Sequence, residues 1–516
     1  MDKILILDFG SQYTQLIGRR VREIGVYAEI LPGEAPLGPK ALDGARGIIL
    51  SGSPRSAYEA GAPAPHATVF ECGLPVLGIC YGIQRMTLDL GGRVERLPER
   101  EYGRKMVSVT RDDPLLAGVP PYFASWMSHG DSIAAPAPGF EIFATSEGGI
   151  PAALRHAGRG LWGLQFHPEV SHCEGGRRIL ENFSCGICGA AREWSMEAYL
   201  EEERAALRKR AGEGEVLLLI SGGVDSTVAG ALLLETLPKE KVHLLYIDTG
   251  LMRKAESEEV MRNLRGLGAR HLHMAAAEDE FLGRLAGVEA PEEKRRIIGD
   301  LFIEIQEREI ARLGIPGALL VQGTLYTDLI ESGKGVGTKA QVIKSHHNVR
   351  SPLVERKRAE GKVIEPLDRL YKDEVRALGR LLGLPESIVG RHPFPGPGLG
   401  VRILGEVTKE KCDLLREADA VYIAELRARG LYDRIWQAFS VLLPVRSVGV
   451  AGDERKYGSV LALRAVVSED GMTADVFPFE AADILAISSA ITNRVPAIGR
   501  VVYDISSKPP ATIEWE

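Results

Sequence analysis

The stretch LLLISGGVDSTV at residues 217–228 decides the fold of the second half of the chain. Its four leading aliphatic residues predict a buried parallel strand, and the spacing becomes helical from Ser226. Gly222 and Gly223 allow a sharp turn between the two because they carry no Cβ. A strand, a glycine turn and a helix start bring backbone N–H groups and the positive end of a helix dipole to one point. This geometry binds a phosphate or a pyrophosphate.

Asp225 distinguishes this loop from a Walker A loop, whose lysine is absent. A carboxylate in an anion cradle needs a cation between itself and the phosphates, so we interpret Asp225 as a Mg²⁺ ligand. The alternative is an ordinary helix capped by Asp225 or Ser226. The heptad SGGVDST resembles the loop of N-type ATP pyrophosphatases, which cleave ATP between the α- and β-phosphates. The resemblance implies that ATP is bound by Ser221, Gly222, Gly223, Val224, Asp225, Ser226 and Thr227.

Bulk composition predicts a globular protein of several domains. The chain has 516 residues, of which 45% are hydrophobic and 26% charged, and its net charge is −7. It has no polybasic run and no long apolar run, so we expect neither nucleic-acid nor membrane binding. Residues 1–10 enter a strand directly, and we expect a cytoplasmic location.

The six cysteines are too few for a disulfide framework in a chain of this length. Cys185 and Cys188, with His172 and Cys173 upstream, have a spacing that zinc sites use. No second C-x-x-C motif accompanies them, and partly buried thiols are the commoner outcome.

A second candidate site lies in the first half of the chain. Short aliphatic runs at 3–8, 26–31, 46–51 and 76–80 alternate with helical segments, which predicts a parallel sheet. In Gly78-Ile-Cys80-Tyr81-Gly82 the glycines flank a cysteine as in a nucleophile elbow, with a helix expected to begin near Gln84. The helix dipole favours a thiolate there, and the Tyr81 N–H can donate to an oxyanion, with Gly52 as a second donor. A buried cysteine at the end of a strand is the alternative.

A histidine and a carboxylate complete this site. Residues 161–169, LWGLQFHPE, are predicted to form a strand that ends in His167-Pro168-Glu169. In an extended chain His167 and Glu169 lie on the same side. The carboxylate can then orient the imidazole, which takes the proton of Cys80.

These motifs together resemble the class I glutamine amidotransferases over about residues 3–189. The resemblance implies that Cys80 attacks the side-chain amide of glutamine and that ammonia is released. Ser53 departs from the family, which usually has a second glycine there, so the contribution of Gly52 is less secure. The residues that the resemblance assigns to glutamine binding are Gln84, Ser128, His129, Gly130 and Asp131.

Residues 190–213 are charged and helical, which is typical of a linker. The motifs that follow this linker extend the nucleotide site. Asp248 ends the next strand, where a ribose or adenine can be read, although a turn aspartate is the alternative. Residues 331–348 mix Gly, Lys and His, and are interpreted either as a lid that brings Lys344 onto phosphates or as a surface loop.

The order SGGVDS, YIDTG, EKRRIIG, QGTLYTD, IESGKG and IKSHHN, behind an amidotransferase, resembles the glutamine-hydrolysing GMP synthetases up to the last residue. We therefore expect two doubly wound parallel-sheet α/β domains followed by a small α+β domain. Their predicted bounds are 1–189 (amidotransferase), 190–390 (ATP pyrophosphatase) and 391–516. The resemblance implies that the third domain forms a homodimer. It also implies that xanthosine monophosphate (XMP) is held by Arg296, Lys508 and Glu514.

The resulting hypothesis is GMP synthesis from XMP, ATP with Mg²⁺, and glutamine. Three alternatives remain. NAD synthetases share SGGxDS, but the PFPGPG connector and the final KPPATIEWE disfavour them. A nucleotide sensor would be expected to have lost Cys80, His167 or Asp225. A plain glutamine hydrolase would leave the second half unexplained.

Overall fold

The computed structural model describes residues 1–315, 317–331, 352–451, 454–468 and 473–516. Its described residues divide into two compact units, one of residues 1–199 with 327–331 and the other of 200–326 with the described residues from 352 to 516. Within the described ranges, no helix is both long enough and apolar enough to cross a membrane. The predicted lid and Lys344 lie outside the described residues, apart from Glu331 at the start of the lid.

The first unit is built on one mixed sheet. Strands β1 to β4 and β9 pair in parallel, and β5 to β8 add an antiparallel extension. The order is β2-β1-β3-β4-β9-β8-β7-β5-β6. The strands are β1 (Lys3–Asp8), β2 (Tyr27–Pro32), β3 (Ala45–Leu50), β4 (Val76–Ile79), β5 (Arg93–Val109), β6 (Tyr122–Ala135), β7 (Glu141–Ser146), β8 (Pro151–His156) and β9 (Leu161–Leu164). The helices are α1 (Thr14–Glu23), α2 (Pro39–Leu42), α3 (Thr68–Glu71), α4 (Tyr81–Asp89) and α5 (Gly176–Glu181).

The second unit contains a parallel sheet of order β12-β11-β10-β13-β14. The chain enters at the central strand β10, builds outward to one side and returns to build the other. Ligands bind at such a switch point, beyond the carboxyl ends of the strands. The strands are β10 (Val216–Ile220), β11 (Val242–Asp248), β12 (His271–Ala276), β13 (Leu319–Val321) and β14 (Val363–Ile364).

Helices lie before, between and after these strands, and those between them make the crossover connections that a parallel sheet requires. In chain order they are α6 (Met196–Ala211), α7 (Val224–Thr236), α8 (Glu256–Gly266), α9 (Glu278–Leu285), α10 (Pro291–Leu313), α11 (Tyr326–Glu331), α12 (Pro352–Ala359), α13 (Lys372–Leu381) and α14 (Glu386–Val389). The longest helix, α10, starts at a proline. Proline has no backbone N–H, and no hydrogen bond is lost because N–H groups in the first turn of a helix have no helical partner. The helix ends at Gly314, which takes the left-handed conformation at φ 68°.

A second, mainly antiparallel sheet completes this unit. Its elements are α15 (Lys409–Ala428), β15 (Gln437–Ala451), β16 (Glu454–Val467), β17 (Asp475–Val476), α16 (Ala481–Arg494) and β18 (Ile498–Tyr503). β15 and β16 form a hairpin, and β18 runs parallel to β16. One hydrophobic cluster joins both sheets, reaching from Leu217 and Ile305 to Leu461 and Ile491. The predicted boundary at 390/391 therefore lies inside one compact unit.

The predicted fold class is confirmed, with two differences in detail. The antiparallel extension β5 to β8 was not predicted. The strand predicted for 161–169 was wrong beyond Leu164, where the chain bends before it reaches His167.

Candidate functional site

Cys80 sits at a strained turn in the first unit. It follows β4 directly, has φ 52° and ψ −103°, and leads into α4 at Tyr81. A positive φ is rare for a residue with a side chain. The backbone strain that it causes persists only where the surrounding structure imposes this conformation. The helix begins three residues earlier than predicted, so Cys80 stands at its N-terminus.

Both flanking glycines are required by packing. A Cβ added to Gly78 would lie 2.6 Å from the carbonyl carbon of Gly82. A Cβ added to Gly82 would lie 2.4 Å from the carbonyl oxygen of Leu50. Real Cβ atoms do not approach backbone so closely, so the tight strand-to-helix turn depends on glycine at both positions.

His167 and Glu169 form a buried pair beside the thiol. His167 Nδ1 lies 2.6 Å from Glu169 Oε1, and the two side chains are 3% and 0% exposed. The Tyr13 ring covers the imidazole at 4.8 Å between centroids. The predicted contact is therefore made, although by a bend after β9 rather than by an extended strand.

The protonation of His167 follows from these neighbours. Burial lowers its pKa, but the Glu169 carboxylate and the Cys80 thiolate, which also hydrogen bonds to the imidazole, raise the pKa well above its usual value. The favoured state of His167 is the imidazolium. Such an imidazolium can later donate its proton to a leaving amine.

Gly52 and Tyr81, the two predicted oxyanion donors, lie next to His167 and Cys80 respectively. A Cβ on Gly52 would come within 3.6 Å of His167 Cε1, so this backbone borders the imidazole. The Tyr81 N–H belongs to the first turn of α4, where N–H groups lack helical partners. Ser53 Oγ turns away to accept from the Arg55 N–H at 3.3 Å. The oxyanion role of Gly52 and Tyr81 stays a prediction.

Of the predicted glutamine-binding residues, Ser128 borders Cys80 and Gln84 contacts Asp131. Ser128, His129, Gly130 and Asp131 lie on β6, and the Ser128 carbonyl faces Cys80 Sγ at 3.8 Å. Gln84 is buried on α4 and donates through Nε2 to the Asp131 carbonyl at 2.8 Å.

The phosphate loop in the second unit has the predicted form. β10 ends at Ile220, Gly222 takes φ 79°, and α7 begins at Val224. Ser226 Oγ accepts from the Ser221 N–H at 3.2 Å, and Thr227 Oγ1 donates to the Gly223 carbonyl at 2.8 Å. These hydrogen bonds fix the conformation of the loop. The N–H groups in the first turn of α7 have no helical partner and can therefore bind an anion.

Asp225 is paired with a residue that the sequence reasoning missed. Lys372 Nζ, at the start of α13, lies 2.7 and 2.6 Å from its two carboxylate oxygens. The side chains are 37% and 26% exposed, so this pair is open to solvent and to ligands. Lys372 lies in the segment YKDEVR. No motif in that segment predicts a contact with residue 225. The pair places one positive and one negative charge at the mouth of the loop.

Asp248 ends β11, the neighbour of β10, and its Oδ1 accepts from the Gly250 N–H at 3.0 Å. The Asp248 carboxylate thus stabilises the turn that follows β11. The predicted contact with ribose or adenine stays a prediction.

The predicted XMP-binding residues lie in different surroundings. Arg296 is exposed on α10 and pairs with Asp300 at 3.2 Å. The backbone of Lys508 pairs with that of Ala474. Glu514 accepts from Arg402 at 3.1 and 2.8 Å, and from Gln437 Nε2 at 2.6 Å.

Segment 504–516 is anchored by three cations that are fully buried: Lys294, Arg402 and Arg464. Arg464 donates to the carbonyls of Ser506 and Thr512 at 2.5 and 3.2 Å. Lys294 Nζ lies 2.5 Å from Glu516 Oε2. The segment is therefore tied to buried side chains of its unit, although within it only Ile513 is itself buried. Sequence reasoning missed these anchors because they lie far away along the chain.

The cysteine pair shows no metal geometry. Among the described residues, no cluster of three or more His, Cys, Asp or Glu side chains is arranged to hold a metal ion. Cys188 packs against the backbone of Gly47, and burial raises the pKa of its thiol.

Comparison with known proteins finds family models for parts of the chain and relatives that match it over its whole length. Three family models match: glutamine amidotransferase class-I at residues 5–186, thiamine biosynthesis protein (ThiI) at 211–277, and the GMP synthase C terminal domain at 424–515. The chain is 50% identical over 516 residues to a glutamine-hydrolysing GMP synthase of Aquifex aeolicus, covering 99% of both chains. The chain belongs to the glutamine-hydrolysing GMP synthase family.

Other GMP synthases match equally completely. The enzyme of Bartonella bacilliformis is 50% identical over 520 residues, and the match covers 100% of this chain and 99% of that enzyme.

A solved structure of a glutamine amidotransferase from Thermotoga maritima is also similar to part of the chain. The match covers 41% of this chain and 86% of that chain, at 22% identity and a TM-score of 0.28. The predicted family is confirmed, and the chain is a ligase that makes GMP with glutamine as amide donor.

Proposed function

We propose that this chain joins two reactions at two sites. Glutamine is hydrolysed at Cys80, and the ammonia released aminates XMP that ATP has adenylated at the loop 221–227. The observation that carries this proposal is the presence in one chain of both constellations. These are the strained Cys80 with its buried His167–Glu169 pair, and the glycine loop at a switch point with Asp225 and Lys372 at its mouth.

At the first site the Cys80 thiolate adds to the amide carbon, and the oxyanion faces the N–H groups of Gly52 and Tyr81. The His167 imidazolium gives its proton to the nitrogen, so ammonia leaves and a thioester remains. His167 then takes a proton from water, and the hydroxide adds to the thioester carbon. Collapse of this adduct breaks the C–S bond, which releases the Cys80 thiolate and glutamate, and the carboxylic acid proton passes to solvent. The raised pKa of His167 supports this role because the residue starts protonated.

Substrate would be held in this first unit by the backbone of 128–131 and by Gln84. The Ser128 carbonyl faces Cys80 Sγ, and the Gln84 amide donates to the Asp131 carbonyl on the same strand as Ser128. Carbonyl oxygens can accept from the α-amino group of glutamine. These contacts would place the amide carbon next to Sγ.

At the second site the O2 of XMP attacks the α-phosphorus of ATP, and pyrophosphate leaves onto the loop. Ammonia then adds at C2, AMP departs with the former O2, and loss of a proton gives GMP. The carbonyl oxygen is a poor leaving group until it is adenylated, so the order of steps is fixed. Lys372 would balance the charge of the departing pyrophosphate.

Mg²⁺ fits the residues at this loop. Mg²⁺ is held in proteins by one or two carboxylates together with substrate phosphates and water. Asp225 supplies one such carboxylate, already facing a cation, the ammonium group of Lys372, at 2.6 Å. When bound, Mg²⁺ would neutralise phosphate charge, and Lys372 would be released toward the phosphates.

XMP would lie beside Glu514, whose carboxylate is oriented by Arg402 and Gln437. Arg296 and Lys508 remain proposed contacts of the same nucleotide. Lys344 and the lid remain proposed as the cover of the phosphates. A cytoplasmic location also remains a prediction.

The deciding experiment compares Cys80→Ala with wild type. XMP, ATP and Mg²⁺ are supplied with glutamine or with ammonium, and GMP and pyrophosphate are measured. The variant should lose only the glutamine-driven reaction. If wild type hydrolyses glutamine but makes no GMP from either nitrogen source, the acceptor is wrong, and nicotinic acid adenine dinucleotide is tested next. If wild type shows neither half-reaction, a nucleotide sensor replaces the enzyme proposal.

The hairpin β15–β16 supports the proposed homodimer. Among the described residues of this hairpin, four large apolar side chains are exposed: Val445 (55%), Val448 (48%), Val450 (79%) and Tyr457 (59%). Such a patch on one hairpin is typical of an interface. Val450→Asp should shift the mass measured by light scattering from dimer to monomer. Tyr122→Asp, at an exposed aromatic of the first unit, serves as control.

A further inference from the structure

Helix α1 contacts the buried pair of His167 and Glu169 at two places. Tyr13, directly before the helix, covers the imidazole of His167 at 4.8 Å between ring centroids. Arg20, near the end of the helix, donates through Nε to the backbone carbonyl of Glu169 at 3.0 Å. Residues at such a separation lie on the same face of a helix, because they are about two turns apart. One face of α1 is therefore directed at the segment that carries the pair.

The Glu169 carboxylate makes few contacts of its own. Its Oε1 faces His167 Nδ1, and Oε2 is buried without a hydrogen-bond partner among the residues that the structure describes. An ionised carboxylate can accept several hydrogen bonds, so this one is held by fewer contacts than its chemistry allows. The position of the carboxylate therefore depends largely on the backbone of residue 169.

That backbone lies beyond the end of β9 and is fixed from three directions. The N–H groups of Gln165 and His167 donate to carbonyls on β8 and β6 at 2.9 and 3.0 Å. Arg20 provides the third contact, at the Glu169 carbonyl. The first two contacts hold the start and the middle of the segment 165–169. Arg20 holds the end that carries the carboxylate.

Arg20 is itself held in place by α1. Its Nη1 lies 3.0 Å from Glu23 Oε2, and its side chain is 24% exposed. The start of the helix is fixed by Asp8, whose Oδ1 accepts from Thr14 Oγ1 at 2.6 Å and from the Gly10 N–H at 2.9 Å. A guanidinium group that is already oriented loses little freedom when it makes a further hydrogen bond. The helix thus presents a pre-organised donor.

We propose that Arg20 is a positioning residue for glutamine hydrolysis, which acts by holding the backbone of Glu169 so that its carboxylate stays against His167. The inference rests on the proposed hydrolysis at Cys80. Without this contact, the Glu169 end of the segment loses one of its fixed points, and the imidazole is oriented for only part of the time. A misplaced catalytic group slows the chemical step. Glutamine binding at 128–131 uses a different strand and should change little.

The groups around His167 set the expected pH dependence. Glu169 faces it from the same segment, Cys80 from the start of α4 and the Tyr13 ring from the start of α1. Burial lowers the pKa of His167, whereas Glu169 and Cys80 raise it. The Cys173 thiol near Glu169 stays uncharged at neutral pH, because burial raises its pKa to about 12. Loosening Glu169 leaves the burial in place, so the pKa of His167 should fall.

The test is Arg20→Met in the full chain, with Arg178→Met on α5 as a matched control. Arg178 makes the same kind of ion pair, with Glu181 at 3.0 Å. In Arg20→Met the kcat for glutamine hydrolysis should fall about tenfold, with the KM changed less than about twofold. The alkaline limb of kcat/KM should move to lower pH. Arg20→Lys, whose ammonium can also donate to a carbonyl, should restore most of the kcat and the position of that limb.

A double-mutant cycle tests whether Arg20 acts through Glu169. In the Glu169→Gln background, Arg20→Met should lower kcat by about twofold or less, because the charge that it positions is already gone. If the two losses multiply, Arg20 acts by another route and the proposal is overturned. Glu23→Gln should have a much smaller effect than Arg20→Met. An equal loss would show that the ion pair on α1, and not the contact with Glu169, is responsible.

The single variants separate failure of the inference from failure of the proposed site. If Arg20→Met leaves kcat and the alkaline limb unchanged while Glu169→Gln lowers kcat, the role of Arg20 is refuted. If both variants hydrolyse glutamine like wild type, the assigned pair is wrong and the inference falls with it. A lower melting temperature together with a raised KM, neither restored in Arg20→Lys, would show a purely structural role and also overturn the proposal. Ammonium-driven GMP synthesis should be unchanged in all variants, because it does not use the first site.

Discussion

Replacing Glu169 by glutamine removes one charge from the buried pair and keeps its shape. Glu169 Oε1 lies 2.6 Å from His167 Nδ1, and its side chain is 0% exposed. A hydrogen bond to a charged group contributes about 1.5–3 kcal/mol, against about 0.5–1.5 kcal/mol for a neutral one. Full burial favours the upper end of that difference, about 2 kcal/mol, which is roughly a 30-fold loss of kcat/KM for glutamine hydrolysis.

The pH profile should move in a defined direction. Glu169 is the first of the groups that raise the pKa of His167, so the substitution lowers that pKa. Protonated His167 donates to the leaving ammonia and is lost as pH rises through its pKa. The alkaline limb of kcat/KM should therefore shift to lower pH in Glu169→Gln.

The assay is glutamate release against pH, with ammonium-driven GMP synthesis measured on the same preparation. The second reaction should be unchanged, because it does not use the first site. Glu59→Gln, at an exposed carboxylate paired with Arg55 at 3.7 Å, is the control. A loss below about twofold, or an alkaline limb that stays in place, would refute the assignment of Glu169.

Three other substitutions test separate features. Gly82→Ala places a Cβ 2.4 Å from the Leu50 carbonyl oxygen, so the first unit should lose about 1–3 kcal/mol in thermal unfolding and its glutaminase activity should fall. Lys372→Met removes the cation 2.6 Å from Asp225, and inhibition by pyrophosphate should weaken about tenfold with glutamine hydrolysis unchanged. Glu514→Gln leaves buried Arg402 without its counter-charge, which should cost the second unit about 3–5 kcal/mol in denaturant unfolding.

Each of these three has a contrary outcome. A Gly82→Ala protein with unchanged melting and full activity would show that the turn relaxes. Unchanged pyrophosphate inhibition in Lys372→Met would place the pyrophosphate elsewhere. If Glu514→Gln melts like wild type but binds XMP weakly, Glu514 contacts the nucleotide without supporting the core.

The sequence predicted those features whose cause is local. The elbow at Cys80 and the loop at 221–227 each follow from glycines next to a strand end, and both are present at the predicted residues. The pairing of His167 with Glu169 was also predictable, because two residues so close together can meet in several backbone conformations. The bend after Leu164 achieves the contact that an extended strand would also have made.

The features that were missed depend on contacts between distant residues. Lys372 reaches Asp225 across 147 residues, and Arg20 reaches the Glu169 carbonyl across 149 residues. Neither contact leaves a spacing in the sequence that could be read. The antiparallel strands β5 to β8 change register at several points, and β8 buries three consecutive residues. Both features break the alternation of apolar and polar residues on which strand prediction depends.

The anchoring of segment 504–516 has a consequence for the order of synthesis and folding. Lys294 lies 222 residues before Glu516, and Arg402 lies 112 residues before Glu514. While the ribosome is still making the chain, these cations have no counter-charge and cannot be buried without cost. The second unit should therefore remain loosely packed until residue 516 has emerged from the ribosome. The first unit, whose residues are nearly all made before the second begins, can fold during translation.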